Sequence, residues 1–599
     1  MKIKNFSIKK QFSSFFYFYS YLKHRIFALL FLNVFVGIID SLGLTMFLPL
    51  LQLVSRQNNE DELKMGGFDF ILRIIQHFGF KINLESILVL MVVFFLLKGV
   101  ITYFTKTYQV LIQMQFMEQI RLNLIDGVNK INYKSFMSLD QGMIQNTMTG
   151  EVERVFTGLT TYFQTFSYGV LVFVYITFAF FVNLEFAILI SLGGLTTNIL
   201  YRLLYKRTKG ISRKLTAGSN SYQGLIIQNI SNFKYIKATN LSLLFINKLK
   251  TSATNIENKR KKIGFLKAIL VSVREPMLII IIALVIYIQV VFLKGLLGGI
   301  IISLLFFYRA LNFLTQLQNS WNLHLSMFGS FDNLKAFQNL LLKNEEYIST
   351  KDYKKFRDQI ELKNVTFKYA DNHVLNDINL KIRQKETVAF VGESGSGKTT
   401  LMNIISGLLA IEDGRILIDN IDSKEINIKK YQNRIGYITQ DPVIFNASIF
   451  DNITLWAEKS NVNITRFKNV IRKAHLEEFI LSTAEKEETV LGNDGLNISG
   501  GQKQRISIAR ELYKDIDILI MDEATSSLDV ETEKQIQINI DSLNGKLAIL
   551  IVAHRLSTIQ NADRIIFIKN GKIADDGKFK EIIKKNKDFS RMIELQSFK

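Results

Sequence analysis

A glycine-rich loop between a strand and a helix carries the clearest chemistry in the sequence. Residues 387–391, Thr-Val-Ala-Phe-Val, indicate a strand, and the pattern G-x-x-x-x-G-K-T follows directly before a helical segment. The glycines allow backbone N–H groups to wrap a phosphate, and the start of the helix adds a favourable dipole. The lysine can reach the β- and γ-phosphates of a nucleotide, and the threonine hydroxyl can ligate Mg²⁺. The pattern therefore predicts a nucleotide site at Gly392, Glu393, Ser394, Gly395, Ser396, Gly397, Lys398, Thr399 and Thr400.

A second apolar run, residues 518–521, ends in two adjacent carboxylates, Asp522 and Glu523. Adjacent acids at a strand end are usually only solvated, but their position after a phosphate-binding loop favours a catalytic interpretation. We expect Asp522 to hold Mg²⁺, directly or through water, and Glu523 to orient and polarise the attacking water. The two motifs together indicate a nucleoside triphosphatase, a description that still fits many classes, helicases and GTPases included.

The segment between these motifs narrows the class. Residues 498–502, Ile-Ser-Gly-Gly-Gln, followed by a helical run, resemble the signature sequence of ABC ATPases, with isoleucine where leucine is most common. The resemblance implies that Ser499, Gly500, Gly501 and Gln502 close on the γ-phosphate of ATP held by another subunit. Hydrolysis would then require two such domains.

The other elements of that family occur in the expected order. By resemblance, Tyr369 stacks on adenine, Gln440 senses Mg²⁺ and the γ-phosphate, Asp529 lies at the dimer seam and His554 contacts the γ-phosphate. A single tyrosine or histidine is more often structural, but the order of the motifs favours the family roles. The resemblance implies an α/β P-loop NTPase domain of ABC type over residues 360–599, which binds ATP and Mg²⁺.

The first part of the chain is of a different kind. Hydrophobic residues make up 48% of the sequence, and the mean hydropathy of +0.16 is above that of typical soluble proteins. Six apolar stretches are long enough to cross a bilayer at about 20 residues each. These stretches are approximately 26–54, 84–105, 160–182, 186–204, 266–293 and 296–322. They predict an α-helical membrane domain over residues 1–330, joined by a linker at 331–359 to the nucleotide-binding domain.

The net charge of +21 has two explanations, nucleic acid or membrane topology. Residues 202–267 are rich in Lys and Arg with almost no acid, as in cytoplasmic loops, so topology accounts for the charge without nucleic acid. A soluble ABC ATPase acting on nucleic acid is therefore disfavoured. Both termini and the ATPase are expected in the cytoplasm, and the composition favours a multi-pass protein of a bacterial inner membrane. The absence of Cys excludes disulfides, thiolate metal sites and a cysteine nucleophile.

The long basic loops contain few helix breakers, so the spans are expected to continue as helices into the cytoplasm. Residues 133–142 and 229–238 look like the two coupling-helix segments of ABC exporters. The resemblance then covers essentially the whole chain and identifies it as an exporter half-transporter. It implies ATP-driven export or flipping by alternating access, with a second copy of the chain favoured as the partner.

Charge within the spans bears on the substrate. Asp40, Arg274, Glu275 and Arg309 lie in apolar stretches, where ionisable groups usually face a cavity. The external loop places apolar residues at helical spacing from Phe68 to Phe78, an amphipathic pattern suited to a lipid tail or to capping the spans. We favour an amphipathic lipid or lipid-linked glycan with an anionic head group, and Arg309 as its phosphate ligand. Peptide or multidrug export is the alternative.

Overall fold

The computed structural model describes residues 13–47, 49–50, 77, 83–182, 184–291, 297–523, 534, 537–538, 540–553 and 559–597. These residues form two compact units. The first comprises residues 1–131 and 138–345, and the second comprises residues 132–137 and 346–599. The chain thus enters the second unit twice.

The first unit is helical throughout its described part. In chain order, with α4 belonging to the second unit, the helices are α1 Ser13–Leu22, α2 Arg25–Thr45, α3 Leu84–Lys130, α4 Tyr133–Met137, α5 Gln141–Asn146, a π-helical turn Thr147–Glu151, α6 Val152–Val182, α7 Leu184–Ser231, α8 Phe233–Ala238, α9 Ser242–Val291, α10 Leu297–Ser326 and α11 Phe328–Lys343.

Three helical segments of the described chain are long and apolar enough to cross a membrane: Arg25–Thr45, Leu84–Lys130 and Gln141–Phe181. Helices α7, α9 and α10 cover most of the other predicted spans, and the count of six spans stays a prediction. The 47 residues of α3, 48 of α7 and 50 of α9 far exceed the length a bilayer needs. Helical structure therefore continues beyond the apolar stretches, as predicted.

Two apolar clusters hold the helical unit together. Tyr175 stacks on Phe313 with ring centroids 5.4 Å apart, within a cluster that includes Phe306 and Phe307. A second cluster joins α1 to α3, α6 and α11 through edge-to-face contacts such as Phe18 with Phe331 at 5.2 Å.

Helix α11 lies largely within the segment predicted as a linker. The apolar side of α11 is buried, at Phe328, Phe331, Leu334, Phe337 and Leu341. These buried apolar residues recur at intervals of three and four, so α11 is an amphipathic helix that packs into the first unit.

The second unit is built on two sheets. The strands are β1 Gln359–Tyr369, β2 Asn372–Arg383, β3 Thr387–Val391, β4 Asp413–Ile418, β5 Ile421–Asp422, β6 Ile435–Ile438, β7 Ile518–Asp522, β8 Ala548–Val552, β9 Arg564–Lys569 and β10 Lys572–Gly577. An antiparallel sheet has the order β2-β1-β4-β5, and a six-stranded sheet has the order β10-β9-β3-β8-β7-β6. In the larger sheet every adjacent pair is parallel except β10 with β9. The carboxyl ends of β3, β6 and β7 therefore meet at one edge.

Helices cover this larger sheet and give the second unit its core. They are α12 Lys398–Ile405, α13 Ile428–Gln432, α14 Ile449–Thr454, α15 Asn461–Lys473, α16 Glu477–Ser482, α17 Gly500–Tyr513, α18 Phe579–Lys585 and α19 Lys587–Ser597. Strands β3, β7 and β8 are buried along their whole length, as parallel strands covered on both faces are.

Residues 132–137 fold with the second unit although they lie far before it in sequence. The Lys134 ammonium contacts the Glu412 carboxylate at 2.9 Å and lies 5.1 Å from the ring centroid of buried Phe367. This hydrogen bond, reinforced by Lys368, lowers the pKa of Glu412. Helices α4 and α8 are short and lie in the two loops where coupling helices were expected.

Candidate active site

The phosphate-binding loop connects β3 to α12. Strand β3 lies between β8 and β9, which fixes the start of the loop at the carboxyl edge of the sheet. Gly397, the residue before α12, has φ 103°, and a side chain there would approach Leu375 to 2.7 Å. A Cβ at Gly392 would come within 2.2 Å of the Ile568 carbonyl oxygen. Both positions require glycine, so the loop can adopt this tight conformation only with glycine at residues 392 and 397.

Lys398 is folded back into the loop. Its ammonium donates hydrogen bonds to the carbonyl oxygens of Gly392 and Glu393, each at 2.9 Å, and the residue is only 5% exposed. Burial lowers the pKa of Lys398, while the carboxylates of Glu523 and Asp522 oppose that shift. Phosphate oxygens are stronger acceptors than carbonyls, so the buried cation is suited to a nucleotide phosphate.

The hydroxyl of Ser396 provides a test of whether a phosphate fits. It is buried, and in the described part of the chain it has no hydrogen-bond partner. An unpaired buried hydroxyl is unfavourable, and a phosphate oxygen in the loop would satisfy it. The loop, its lysine and this hydroxyl together fit the phosphates of ATP.

Asp522 ends β7 next to the start of α12. Its carboxylate accepts a hydrogen bond from the Thr399 hydroxyl at 3.4 Å, and the residue is 6% exposed. A hydroxyl and a carboxylate beside a phosphate site are the oxygen ligands that Mg²⁺ prefers. The pair fits Mg²⁺, which when bound would neutralise charge on the phosphates.

Glu523 continues directly from Asp522 in an unusual backbone conformation. Its φ is 52°, a region that non-glycine residues seldom adopt, and its N–H donates to the Val552 carbonyl at 3.2 Å. Gln440, which follows β6, donates from Nε2 to the Glu523 carboxylate at 2.9 Å. The backbone and Gln440 together hold the Glu523 carboxylate within electrostatic range of Lys398 in the phosphate loop.

The signature residues begin α17. Ser499 caps the helix by accepting from the Gln502 N–H at 3.2 Å, and the Gln502 side chain accepts from the Ser499 N–H at 2.8 Å. Ser499 and Gly500 are exposed, and no hydrogen bond within the described residues joins them to the phosphate loop. Tyr369 ends β1, half-buried, with its ring 4.9 Å from that of Phe367. Asp529 and His554 lie outside the described residues.

A buried arginine in α17 has a structural role that the sequence motifs do not predict. Arg510, on the last turn of α17, donates to the backbone carbonyl of Asn452 at 2.6 Å, to its side-chain oxygen at 3.0 Å and to the Val443 carbonyl at 2.8 Å. Burial lowers the pKa of Arg510. Arg510 thus holds the signature helix against α14. Its partners are 58 and 67 residues away in sequence, so no local spacing signals the contact.

The residues of the membrane unit that were predicted to bind substrate fall into three groups. Asp40 is 3% exposed and is bound by the Lys98 ammonium at 2.6 Å and by the Tyr175 hydroxyl. Arg309 interacts electrostatically with the Tyr175 hydroxyl, and among the described residues it has no carboxylate within ion-pair distance. The side chains of Arg274 and Glu275, and the predicted amphipathic segment between Phe68 and Phe78 except His77, lie outside what the structure describes.

Two family models match the chain in the same order as its two units. The ABC transporter transmembrane region matches residues 26–313, and the ABC transporter model matches residues 375–526. The chain belongs to the ABC transporters. It fuses the membrane domain and the ATP-binding domain of that family in one polypeptide.

Three relatives resemble the chain over different lengths. The "ATP-dependent lipid A-core flippase" of Syntrophus aciditrophicus is 40% identical over 239 residues, which cover 40% of this chain and 39% of the flippase. The "Heterocyst differentiation ATP-binding protein HepA" of Nostoc sp. is 27% identical over 547 residues, which cover 91% and 89% of the two chains. A lipid A-core flippase of Cupriavidus pinatubonensis is 26% identical to this chain, and the match covers 86% of the flippase.

A solved bacterial Atm1-family ABC exporter with ATP bound shares the fold. The TM-score is 0.78 with 19% sequence identity, and the match covers 96% of this chain and 99% of the other. These comparisons confirm an ABC transporter transmembrane region followed by an ABC ATP-binding domain, in a chain with the fold of an ABC exporter.

Proposed function

We propose that this ABC transporter is an exporter that uses ATP hydrolysis to flip an anionic amphipathic lipid, such as a lipid-linked glycan, across a bacterial inner membrane. In this proposal the termini and the ATPase are cytoplasmic. The substrate would enter between the membrane helices and leave on the opposite side by alternating access.

The observation that carries the substrate class is the polar cluster of Asp40, Lys98, Tyr175 and Arg309. Asp40 neutralises Lys98 at 2.6 Å, which leaves the Arg309 charge without a carboxylate partner in the described part of the cluster. An uncompensated cation is unfavourable in an apolar helix bundle, and an anionic ligand would offset it. The planar guanidinium offers a phosphate two parallel hydrogen bonds. Relatives named as lipid A-core flippases support a phosphate-bearing lipid.

The ATPase residues have distinct roles in this proposal. Lys398, the loop backbone and the Ser396 hydroxyl bind the phosphates, while Thr399, Asp522 and Gln440 hold Mg²⁺. Glu523 takes the proton of the attacking water, oriented by Gln440. Tyr369 stacks on adenine, and His554 contacts the γ-phosphate.

The working unit in this proposal is a homodimer with two equivalent ATP sites. The cap of α17, formed by Ser499, Gly500, Gly501 and Gln502, with Ser499 and Gly500 exposed, would close on ATP bound by the partner copy, with Asp529 at the dimer seam. The proposed domain bounds are 1–330, 331–359 and 360–599.

A reconstituted flipping assay tests the substrate class. Wild type, Arg309→Ala and Arg309→Lys are placed in liposomes with a fluorescent pyrophosphate-linked glycolipid, and ATP-dependent loss of the probe from the outer leaflet is measured. We expect flipping by wild type, little by Arg309→Ala and partial activity by Arg309→Lys, which keeps the charge but loses the planar fork. Export of a peptide or drug instead of the lipid by wild type would refute the lipid substrate.

A further inference from the structure

Helices α7 and α9 carry a strong excess of positive charge where their predicted spans end. Residues 206–214 and 256–267 contain ten basic side chains and a single acid, Glu257. The Lys259 ammonium donates to the Lys214 carbonyl at 3.0 Å, which fixes how the two helices lie alongside each other. Lys206 lies eight residues closer to its predicted span than Lys214, and Lys267 lies eight residues closer than Lys259. Lys206 and Lys267 therefore lie at the same end of the helix pair.

Half of these ten side chains already have a described contact. Arg213 pairs with Asp332 at 2.7 Å, and Arg260 pairs with Glu257 at 2.7 Å. The other three contacts are the hydrogen bond from Lys259 to the Lys214 carbonyl and two cation–π contacts, of Lys209 with the Phe328 ring and of Lys261 with the Phe265 ring.

The remaining five are exposed and have no carboxylate within 4 Å among the described residues. We call them the basic face: Lys206, Arg207, Lys214, Lys262 and Lys267. Between the two helices, Ile256 of α9 is buried, and its Cγ1 atom lies 3.7 Å from the position of a Cβ at Gly218 of α7. The exposed charges therefore lie outside this contact.

Apolar side chains accompany the basic face. Phe265 is 58% exposed and Ile269 is 48% exposed, on the part of α9 that holds Lys262 and Lys267. Exposed aromatic and aliphatic groups next to lysines are typical of helices at a membrane interface, where the rings enter the head-group region and the cations meet phosphates.

We propose that the basic face binds the phosphate-bearing head groups of anionic phospholipids in the leaflet on the ATPase side of the membrane. Topology explains why these loops are basic, but it does not require the cations to be unpaired and exposed beside Phe265. Anionic lipid supplies the counter-charge that the described residues lack. This proposal does not depend on the identity of the transported substrate.

The test uses the full-length protein in nanodiscs that contain phosphatidylcholine and phosphatidylglycerol. Native mass spectrometry measures the ratio of the two lipids that stay bound. We expect wild type to retain phosphatidylglycerol preferentially, and Lys206→Gln with Lys267→Gln to weaken that preference about fivefold per charge. The matched control, Lys248→Gln with Lys250→Gln, removes two exposed charges from α9 outside the basic face and should keep the wild-type ratio.

Two further arms identify the ligand. Lys206→Arg with Lys267→Arg keeps the charge and should keep the preference, which separates lost attraction from misfolding. Inorganic phosphate should not displace phosphatidylglycerol, because it lacks the acyl chains that meet Phe265. The proposal would be overturned if the glutamine variant kept the wild-type lipid ratio, or if the control lost the preference equally. Displacement of phosphatidylglycerol by free phosphate would also overturn it. So would binding of an RNA oligonucleotide that depends on the basic face and comes without any lipid preference.

Discussion

The two halves of the chain bring their charged groups together by different rules. In the ATP-binding unit, Thr399 meets Asp522 and Gln440 meets Glu523 because the segments that follow β3, β6 and β7 all begin at the same edge of one parallel sheet. In the membrane unit, Asp40, Lys98 and Tyr175 come from three helices, and no general rule places their side chains in contact. Sheet topology therefore makes a site foreseeable from motifs, whereas a helix bundle leaves its polar pairs to be discovered in the structure.

The sharpest test of the foreseeable half is Glu523→Gln. An amide cannot accept the proton of water, so we expect hydrolysis to fall by about 10²- to 10⁴-fold while ATP still binds. Phosphate release and binding of a fluorescent nucleotide would be measured in nanodiscs. The matched control is Glu488→Gln, an exposed acid paired with Lys459. Wild-type turnover in Glu523→Gln would remove this residue from the mechanism.

Lys398→Met separates binding from folding in the same half. Charge-assisted hydrogen bonds contribute about 1.5–3 kcal/mol, so ATP affinity should fall roughly 10- to 100-fold. Without nucleotide, the variant should be no less stable than wild type, because the buried ammonium is itself unfavourable.

The same substitution has a pH signature. Because burial lowers the pKa of Lys398, the unfolded chain binds that proton more tightly than the native protein. Native stability should therefore rise as pH increases from the lowered native pKa towards the ordinary value of about 10.4. Thermal midpoints of wild type and Lys398→Met should converge over that alkaline window. A difference that does not change with pH would contradict the burial argument.

A smaller effect is expected in the membrane half. Asp40→Ala leaves the Lys98 ammonium without its partner, which would cost about 3–5 kcal/mol if both groups were fully buried. Lys98 is 28% exposed, so we expect roughly 2 kcal/mol, most of it recovered in Asp40→Ala with Lys98→Met. The control is Asn33→Ala, which loses only a bond to its own helix at Leu29. Additive losses in thermal midpoint would show that the two residues are not coupled.

The smallest effect is predicted for Glu412→Gln. Its partners Lys134 and Lys368 lower the pKa of Glu412, so the pair stabilises the fold above the ordinary carboxyl pKa and stops doing so as pH falls through the lowered value. Exposed ion pairs are screened by water and salt, so the thermal midpoint at neutral pH should not change measurably. A clear drop would mean that α4 depends on this pair more than its exposure indicates.

The strongest sequence signals were those confined to one loop or one strand end. The phosphate loop, its lysine and the paired acids of β7 are contiguous in sequence, so their local chemistry could be predicted before any fold was known. Arg510 could not be, since its partners lie in another helix and a loop. Asp40 was expected to face a cavity, and its contact with Lys98 depends on how α2 and α3 pack over 58 residues of separation.

Helix α11 could have been predicted from the spacing of its apolar residues, but the average composition of the segment indicates a linker. The segment reads as polar and rich in lysine on average, yet its apolar residues follow a helical period from Phe328 to Leu341. Averaging over the segment hid that stripe. Periodicity was the better signal there, whereas the long helical extensions α7 and α9 were predicted from their scarcity of helix breakers.

The placement of residues 132–137 limits how the protein can be divided or recombined. A fragment that begins at Glu346 would carry the whole ATP-binding fold in sequence, but it would lack Lys134, which pairs with Glu412 and lies over Phe367. The six missing residues belong, in the gene, to the middle of the membrane half. An exchange of ATPase modules between relatives by a single crossover in the linker would therefore join a foreign ATPase to the resident α4, so that only coordinated changes at both places keep the module intact.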